Sequence, residues 1–266
     1  KYDGIICGDD EITKKVMEKG MGGKLKIVSK YGVGLDKIDL PAAKELQMPV
    51  TNCPGVNHIT VAEHVIALLF TYYKNIHFEY NITKDGGWRR LIGHELYGKK
   101  IGIAGLGKIG KEVAKRVKAL GFEVLVYDPF IDKIFINEYG INVANSMEEL
   151  VKDIEILSLN LPLTDKTKGL INKKLLISSN NKLVIVNTSR ALIINQLDLI
   201  SALTDNSINA YLTDVLEEEP MIENHPLLQF DNVIITPHIG SRTFESVQRQ
   251  GMMAVENLFN GLKIQL

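Results

Sequence analysis

Residues 100–128, KIGIAGLGKIGKEVAKRVKALGFEVLVYD, constrain the fold of this chain more than any other stretch. An apolar run over residues 101–104 enters Gly105-Leu-Gly107-Lys-Ile-Gly110. A helical run follows, then a second apolar run over residues 124–127 that ends on Asp128. Strand, glycine turn, helix, strand and terminal acid together describe a βαβ unit that cradles a pyrophosphate. Gly105 permits the tight turn, Gly107 lets backbone approach a phosphate, and Gly110 lets the helix pack close to the strand. The helix start, with Lys108 and Ile109, offers free N–H groups and the positive end of the helix dipole. Asp128 is placed to accept hydrogen bonds from ribose hydroxyls. The stretch therefore predicts a dinucleotide site.

Asp128 also selects the dinucleotide. A carboxylate there would face the extra phosphate of NADP, and like charges at close range are unfavourable. Pro129 and Phe130 follow it, where an arginine would welcome that phosphate. The expected cofactor is NAD.

Bulk properties narrow the remaining classes. A chain of 266 residues holds one large domain or two modest ones. Its net charge of −1 gives no electrostatic case for nucleic acid or an anionic membrane surface. The two cysteines, Cys7 and Cys53, match neither a disulfide framework nor a metal-ligand spacing, so no metal is expected. No apolar run approaches the roughly 18 residues of a membrane span, and the apolar segment at residues 65–73 suits a buried helix. These features predict a cytoplasmic protein. Lys1 is not methionine and a strand begins almost at once, so residues upstream are expected and targeting signals stay open.

Strand and helix signals alternate, which argues for parallel sheets covered by helices. Strands are expected at residues 3–7, 26–29, 50–51, 154–159, 183–186, 209–213 and 233–235. Helices are expected at 11–18, 40–46, 60–74, 147–151, 195–203 and 243–259, with Ser146 and Glu149 forming a capping box. Gly86-Gly-Trp-Arg-Arg90 reads as an irregular connector. Two strand–helix sets, divided near Leu96, predict two lobes with a ligand cleft between them.

Polar residues follow three of the predicted buried strands: Arg190, then Asp214 and Glu219, then His238. In open α/β sheets ligands bind at the carboxyl ends of strands. Singly, each residue has an ordinary structural reading. Their shared placement beside a dinucleotide motif makes them candidates for one chemical site.

Several motifs resemble the D-isomer-specific 2-hydroxyacid dehydrogenase family. They are the glycine loop with Tyr127-Asp128-Pro129, Leu161-Pro162-Leu-Thr164, Asn187-Thr188-Ser189-Arg190, Asp214-Val-Leu-Glu-Glu-Glu219-Pro220 and Thr236-Pro-His238-Ile-Gly240. Gly32-Val-Gly34-Leu-Asp36-Lys-Ile-Asp39, Asn52-Cys-Pro-Gly-Val-Asn57 and Val61-Ala-Glu-His64 match as well, so the likeness covers nearly the whole chain. It implies an α/β fold: a Rossmann-type doubly wound parallel sheet plus a second, flavodoxin-like α/β substrate lobe, N-terminally incomplete. The substrate lobe would be discontinuous, residues 1–96 and 243–266, around an NAD-binding lobe at 97–242.

The resemblance implies roles. His238 would be the acid–base group, Glu219 would fix its tautomer and raise its pKa, and Arg190 would grip the substrate carboxylate. Asp214 would bind the nicotinamide carboxamide. Gly105, Gly107, Lys108, Ile109, Gly110, Asp128, Leu161, Pro162, Thr188, Ser189, Gly240 and Ser241 would line NAD. Backbone N–H groups of Val33 and Gly34 would hold the substrate carboxylate, with Asn57 as a further contact. Lys30 or Arg90 would meet a substrate phosphate. The remaining histidines, His58, His64, His77, His94 and His225, read as structural or surface residues. A homodimer is expected, built through the NAD lobe.

The implied activity is hydride transfer between nicotinamide and a small D-2-hydroxy or 2-keto acid. Gly86-Gly-Trp-Arg-Arg90 with Gly93-His-Glu-Leu96 favours the members acting on 3-phosphoglycerate, and so serine biosynthesis. Glyoxylate, hydroxypyruvate and other D-2-hydroxy acids are the alternatives, and a non-catalytic NAD(H)-sensing scaffold is the alternative of another class. Three departures stand out: Ala191 where glycine is common, Ile194-Asn195-Gln196, and Ser241-Arg242. Ala191 is expected to shift Arg190. With no segment after Leu266, serine feedback through an appended domain is not expected.

Overall fold

A computed structural model describes residues 2–179 and 182–264; Lys1 and Leu266, on which the readings of the chain ends bear, lie outside them. The chain opens with β1 (Gly4–Cys7), α1 (Lys14–Met21), β2 (Ile27–Lys30), α2 (Leu40–Glu45) and β3 (Val50–Thr51). Two helices follow, α3 (His58–Tyr73) and α4 (Ile76–Lys84). Next come β4 (Lys100–Ala104), α5 (Lys108–Ala119), β5 (Glu123–Tyr127), α6 (Lys133–Tyr139), β6 (Asn142–Val143) and α7 (Met147–Lys152). The alternation continues through β7 (Ile156–Leu159), α8 (Lys173–Ser178), β8 (Val184–Asn187), α9 (Gln196–Thr204), β9 (Ala210–Thr213) and β10 (Val233–Ile235). A 19-residue helix, α10 (Phe244–Leu262), ends the described chain.

Contacts between backbone positions separate two compact units. One holds the residues up to Thr60 with those from Ser241 onward; the other is Val61–Gly240. The expected boundaries at 96 and 242 therefore move to 60 and 240. The reason is packing. Ala62, Val65, Leu68, Leu69 and Tyr73 of α3 are buried with Leu96 in the same cluster as Ile101, Ile103, Val113 and Val124. The valine and leucine side chains among them each contribute roughly 1.5–3 kcal/mol by leaving water, which ties α3 to the nucleotide-type sheet.

In the first unit β1, β2 and β3 form a parallel sheet in that order. The C-terminal helix packs on it: Ser29 Oγ donates to the Ala254 carbonyl at 2.8 Å, and Cys53, Val56 and Ala254 form a buried cluster. The first helix starts at Lys14, later than expected, because Ile12 is bridged to Ile38 and its N–H bonds to the Lys37 carbonyl. Thr13 then caps α1.

In the second unit the described residues form a parallel sheet in the order β10-β9-β8-β7-β4-β5-β6. Strands β7, β8 and β9 are buried along their whole length, which explains their unbroken apolar sequences. The order reverses between β4 and β7, and α/β sheets bind ligands beyond the strand ends at such a point. Among the elements, α4, α6, α8 and β6 were not anticipated from the sequence. The capping box at α7 forms with a variation. Glu149 N–H donates to Ser146 Oγ at 3.1 Å, but the Glu149 carboxylate accepts from Asn145 N–H, one residue before the cap.

Candidate active site

The glycine turn follows β4 directly. Gly105 has φ +93°, and a side chain there would strike the Asn160 carbonyl at 2.4 Å. A Cβ on Gly110 would meet the Gly105 carbonyl at 2.0 Å, so α5 lies against the turn only because that position has no side chain. Gly107 differs: nothing lies within 4 Å of where its Cβ would be. It caps α5 with no side-chain hydrogen bond, and the first turn, starting at Lys108 and Ile109, holds no acid. Bare N–H groups at a helix start, facing open space, fit a pyrophosphate.

Asp128 braces the turn from β5. Its Oδ2 accepts from Leu106 N–H at 2.6 Å and its Oδ1 from Phe130 N–H at 2.7 Å. Each oxygen retains a second lone pair for a ribose hydroxyl. Across the switch point, Thr188 Oγ1 and Asn160 Oδ1 are buried with no hydrogen-bond partner among the described residues. Buried polar atoms in native folds nearly always find partners, so these two suit a ligand. The residues present thus fit NAD.

Other expected cofactor residues are committed to the protein itself. Ser189 Oγ donates to the Leu159 carbonyl at 2.8 Å, and the Pro162 carbonyl accepts from Thr167 Oγ1 at 2.6 Å. Leu161 packs into the core around β7. Ser241 belongs to the first unit, where its carbonyl accepts from Gln250.

Three strand ends in one register row bring the acid–base candidates together. Asn187, Thr213 and Ile235 are cross-strand partners at the ends of β8, β9 and β10. Arg190 follows the first, Asp214 and Glu219 the second, His238 the third. Asn187 is fully buried and organises the turn to Arg190: its Oδ1 accepts from Ser189 N–H at 3.0 Å and its Nδ2 donates to the Arg190 carbonyl at 3.0 Å. Ala191 opens a 3-10 turn, with its methyl group buried, so the chain accommodates the departure from glycine there.

His238 and Glu219 form a pair. Nδ1 of His238 lies 2.7 Å from Oε2 of Glu219, whose Oε1 accepts from Leu216 N–H at 3.0 Å. A carboxylate partner requires Nδ1 to carry hydrogen, leaving Nε2 to exchange a proton. The bond from Glu219 lifts the His238 pKa above its ordinary value; burial and the Arg190 charge work against this, while Asp214 adds to it.

Asp214 is 2% exposed and bonded through both carboxylate oxygens. Its Oδ1 accepts from Thr236 Oγ1 at 2.6 Å and Ile239 N–H at 2.8 Å, and its Oδ2 from Gly240 N–H at 2.7 Å. His64 Nε2 stands 3.4 Å from Oδ1. Burial opposes ionisation of Asp214, yet the neighbouring His64 ring and the bonds from Thr236, Gly240 and Ile239 together hold its pKa below the ordinary value. Asp214 thus fastens the turn carrying His238. The sequence reading missed His64 and Thr236 as its partners. The signal was available: His64 sits beside Val61, Val65 and Leu68, which are buried at helical spacing, so its side chain flanks an inward stripe.

The first unit holds the remaining candidates. Val33 is part-exposed and its carbonyl accepts from Asn52 Nδ2 at 2.7 Å. Neither Val33 nor Gly34 donates its backbone N–H within the described residues. Asn57 lies just before α3. Lys30 departs from expectation. Its side chain is only 9% exposed, and its ammonium is taken by the Gly8 carbonyl and by Asp9 Oδ1 at 3.2 Å. A lysine so neutralised is a poor phosphate anchor. Arg90, in the second unit, is exposed.

Known proteins resemble this chain in sequence and in fold. Residues 66–240 match the family model described as D-isomer specific 2-hydroxyacid dehydrogenase, NAD binding domain. The D-3-phosphoglycerate dehydrogenase of Methanocaldococcus jannaschii is 37% identical over 264 residues, covering 98% of this chain and 50% of that protein. The glyoxylate reductase of Thermofilum pendens is 36% identical over 270 residues, covering 98% of this chain and 78% of that one. Among solved structures, the apo D-lactate dehydrogenase of Escherichia coli superposes with a TM-score of 0.90 at 30% identity, over 98% of this chain and 83% of that one. The chain spans about half the length of the phosphoglycerate dehydrogenases it matches. The expectation about appended regulation, drawn from where the sequence stops, is therefore withdrawn.

Proposed function

This chain belongs to the D-isomer specific 2-hydroxyacid dehydrogenase family, and from that premise we propose that it interconverts a small D-2-hydroxy acid and its 2-keto acid with NAD(H). Bound nicotinamide supplies or accepts the hydride. The single observation that carries the reading is the His238–Glu219 pair at 2.7 Å, beyond the same sheet ends as Arg190. Glu219 holds hydrogen on Nδ1, so Nε2 gives the proton during reduction and takes it during oxidation. The Arg190 guanidinium, a planar fork of donors, orients the substrate carboxylate.

The commitment of Lys30 to Gly8 and Asp9 favours an unphosphorylated acid, of the size of glyoxylate or hydroxypyruvate. Similarity to the Methanocaldococcus jannaschii enzyme favours the second reading, a phosphorylated acid met by Arg90. Initial rates with NADH and glyoxylate, hydroxypyruvate or phosphohydroxypyruvate separate the two. A rate advantage for phosphohydroxypyruvate that disappears in Arg90→Ala would establish the second. NADH binding without turnover of any acid would point instead to a sensing scaffold.

His238→Ala tests the chemistry. Turnover should fall about 10²–10⁴-fold, the usual contribution of a positioned acid–base group, while NADH affinity changes little. Turnover surviving that change would remove His238 from the proton transfer.

We also propose a homodimer. Tyr80, Trp88, Ile92 and Tyr97 of the second unit are 63%, 87%, 93% and 80% exposed, large apolar side chains that a partner surface would cover. A second copy of the chain is the proposed cover. Cytoplasmic residence is part of the proposal, and the two buried cysteine thiols, Cys7 and Cys53, are compatible with it. Among the described residues no helix is long and apolar enough to cross a membrane.

A further inference from the structure

His64 has no part in the chemistry described so far, yet it reaches the fastening of the catalytic turn. Its side chain is 16% exposed, and Nε2 lies 2.9 Å from Thr236 Oγ1. Proton bookkeeping settles the direction of that bond. Thr236 has one hydroxyl hydrogen, and its 2.6 Å contact with Asp214 Oδ1 uses it. Thr236 Oγ1 can then only accept from His64, so Nε2 carries hydrogen.

The resulting chain, His64 to Thr236 to Asp214, brackets His238 on both sides. Thr236 stands two residues before it, and the Asp214 carboxylate receives the N–H groups of the two residues after it. Between these anchors His238 has φ +54°, a left-handed conformation that costs a residue with a side chain roughly 1–3 kcal/mol and persists only where its surroundings enforce it. The cluster is closed tightly. A Cβ on Gly240 would lie 2.9 Å from Asp214 Oδ2 and 3.5 Å from the His64 ring.

We infer that His64 is a positioning residue: its Nε2–H, given to Thr236 Oγ1, aligns that hydroxyl on Asp214 and so holds His238 in the turn that pairs it with Glu219. The inference rests on the reading of His238 as the acid–base group. His64 itself touches no reacting atom in this arrangement. It acts as a hydrogen-bond donor of fixed reach, which distinguishes it from a residue that merely fills space.

The test compares His64→Leu, which lacks the donor, with His64→Gln, whose side-chain amide can present N–H near the same place. Two readouts need neither cofactor nor substrate: exchange of the Ile239 and Gly240 backbone amides, and the NMR titration midpoint of His238, which Glu219, Asp214 and Arg190 also face. In His64→Leu the amides should exchange at least about ten-fold faster, as for a locally loosened turn. The midpoint should slide toward the ordinary histidine value. With NADH and a keto acid, kcat should fall about ten-fold while NADH affinity stays within about two-fold, the pattern of misplaced rather than missing groups. His64→Gln should recover most of each property, and adding His64→Leu to Thr236→Val should change nothing further. If His64→Leu does not fold, His64→Asn, polar but too short to reach Thr236, takes its place. Unchanged amide exchange and an unchanged His238 midpoint would overturn the inference, as would a glutamine variant no better than leucine. A wild-type protein that binds NADH and turns over no acid would strike the functional reading alone, leaving the two apo readouts to judge His64.

Discussion

His238 Nδ1 and Glu219 Oε2 lie 2.7 Å apart, although 18 residues and a strand stand between them in sequence. The bond raises the imidazole pKa above 6.5, chiefly through Glu219. Reduction needs the protonated ring, so its rate should persist above pH 6.5 and fall as pH rises through the raised pKa. Oxidation needs the neutral ring and should rise over the same interval. Glu219→Gln should move both limbs toward acid. The pair's contribution to stability is present below 6.5 and lost as pH climbs through the folded value; with both side chains part-exposed it is small. Profiles of kcat/KM for both directions check this, and limbs that stay in place would dissociate Glu219 from the titration.

Gly107 and Gly110 should respond oppositely to the same substitution. Gly107→Val projects into open space, so the thermal midpoint should hold while NADH affinity drops at least about ten-fold through the blocked phosphate approach. Gly110→Val drives a side chain into the Gly105 carbonyl and should cost the fold several kcal/mol, as overpacking does. Calorimetry beside NADH titration distinguishes binding loss from folding loss.

Asn187→Leu removes the brace under Arg190. It leaves Ser189 N–H and the Arg190 carbonyl without their partner, at about 1–3 kcal/mol of stability. KM for the keto acid should rise as the guanidinium loses its seat. Tyr211→Phe, which deletes only the neighbouring hydroxyl on Asn187 Nδ2, should lower stability without moving KM. Equal effects on KM from both variants would show that Asn187 is a core residue and no more.

Trp88→Ser with Ile92→Ser should shift sedimentation from dimer to monomer with little loss of subunit stability, because both side chains are exposed in the single chain. A sedimentation coefficient unchanged by the double substitution would place the interface elsewhere.

Much of this was legible from residues. The Gly105–Gly110 turn, Asp128, and the polar residues past β8, β9 and β10 could be read because local spacing carries their physics: strands end, and chemistry gathers at their carboxyl ends. Some of the short elements were not legible, although β3 and the well-capped α2 and α7, equally short, were. β6 is two residues long, and α6 and α8 have seven and six, too few for a hydrophobic period to emerge. The reach of α3 into the second unit was also hidden, since an apolar helix does not announce which sheet will cover it.

By itself the sequence carried the βαβ dinucleotide turn and the expectation of NAD, and through a family likeness it brought forward His238, Glu219 and Arg190 as candidates, because strand ends and motifs are written in local order. Only the tertiary structure decided which unit owns α3, that Lys30 spends its charge on Asp9, and that His64 reaches Thr236 across 171 intervening residues. Those outcomes depend on which surfaces meet and which lone pairs are already taken. Both are properties of packing, set by distances that no local pattern of residues encodes.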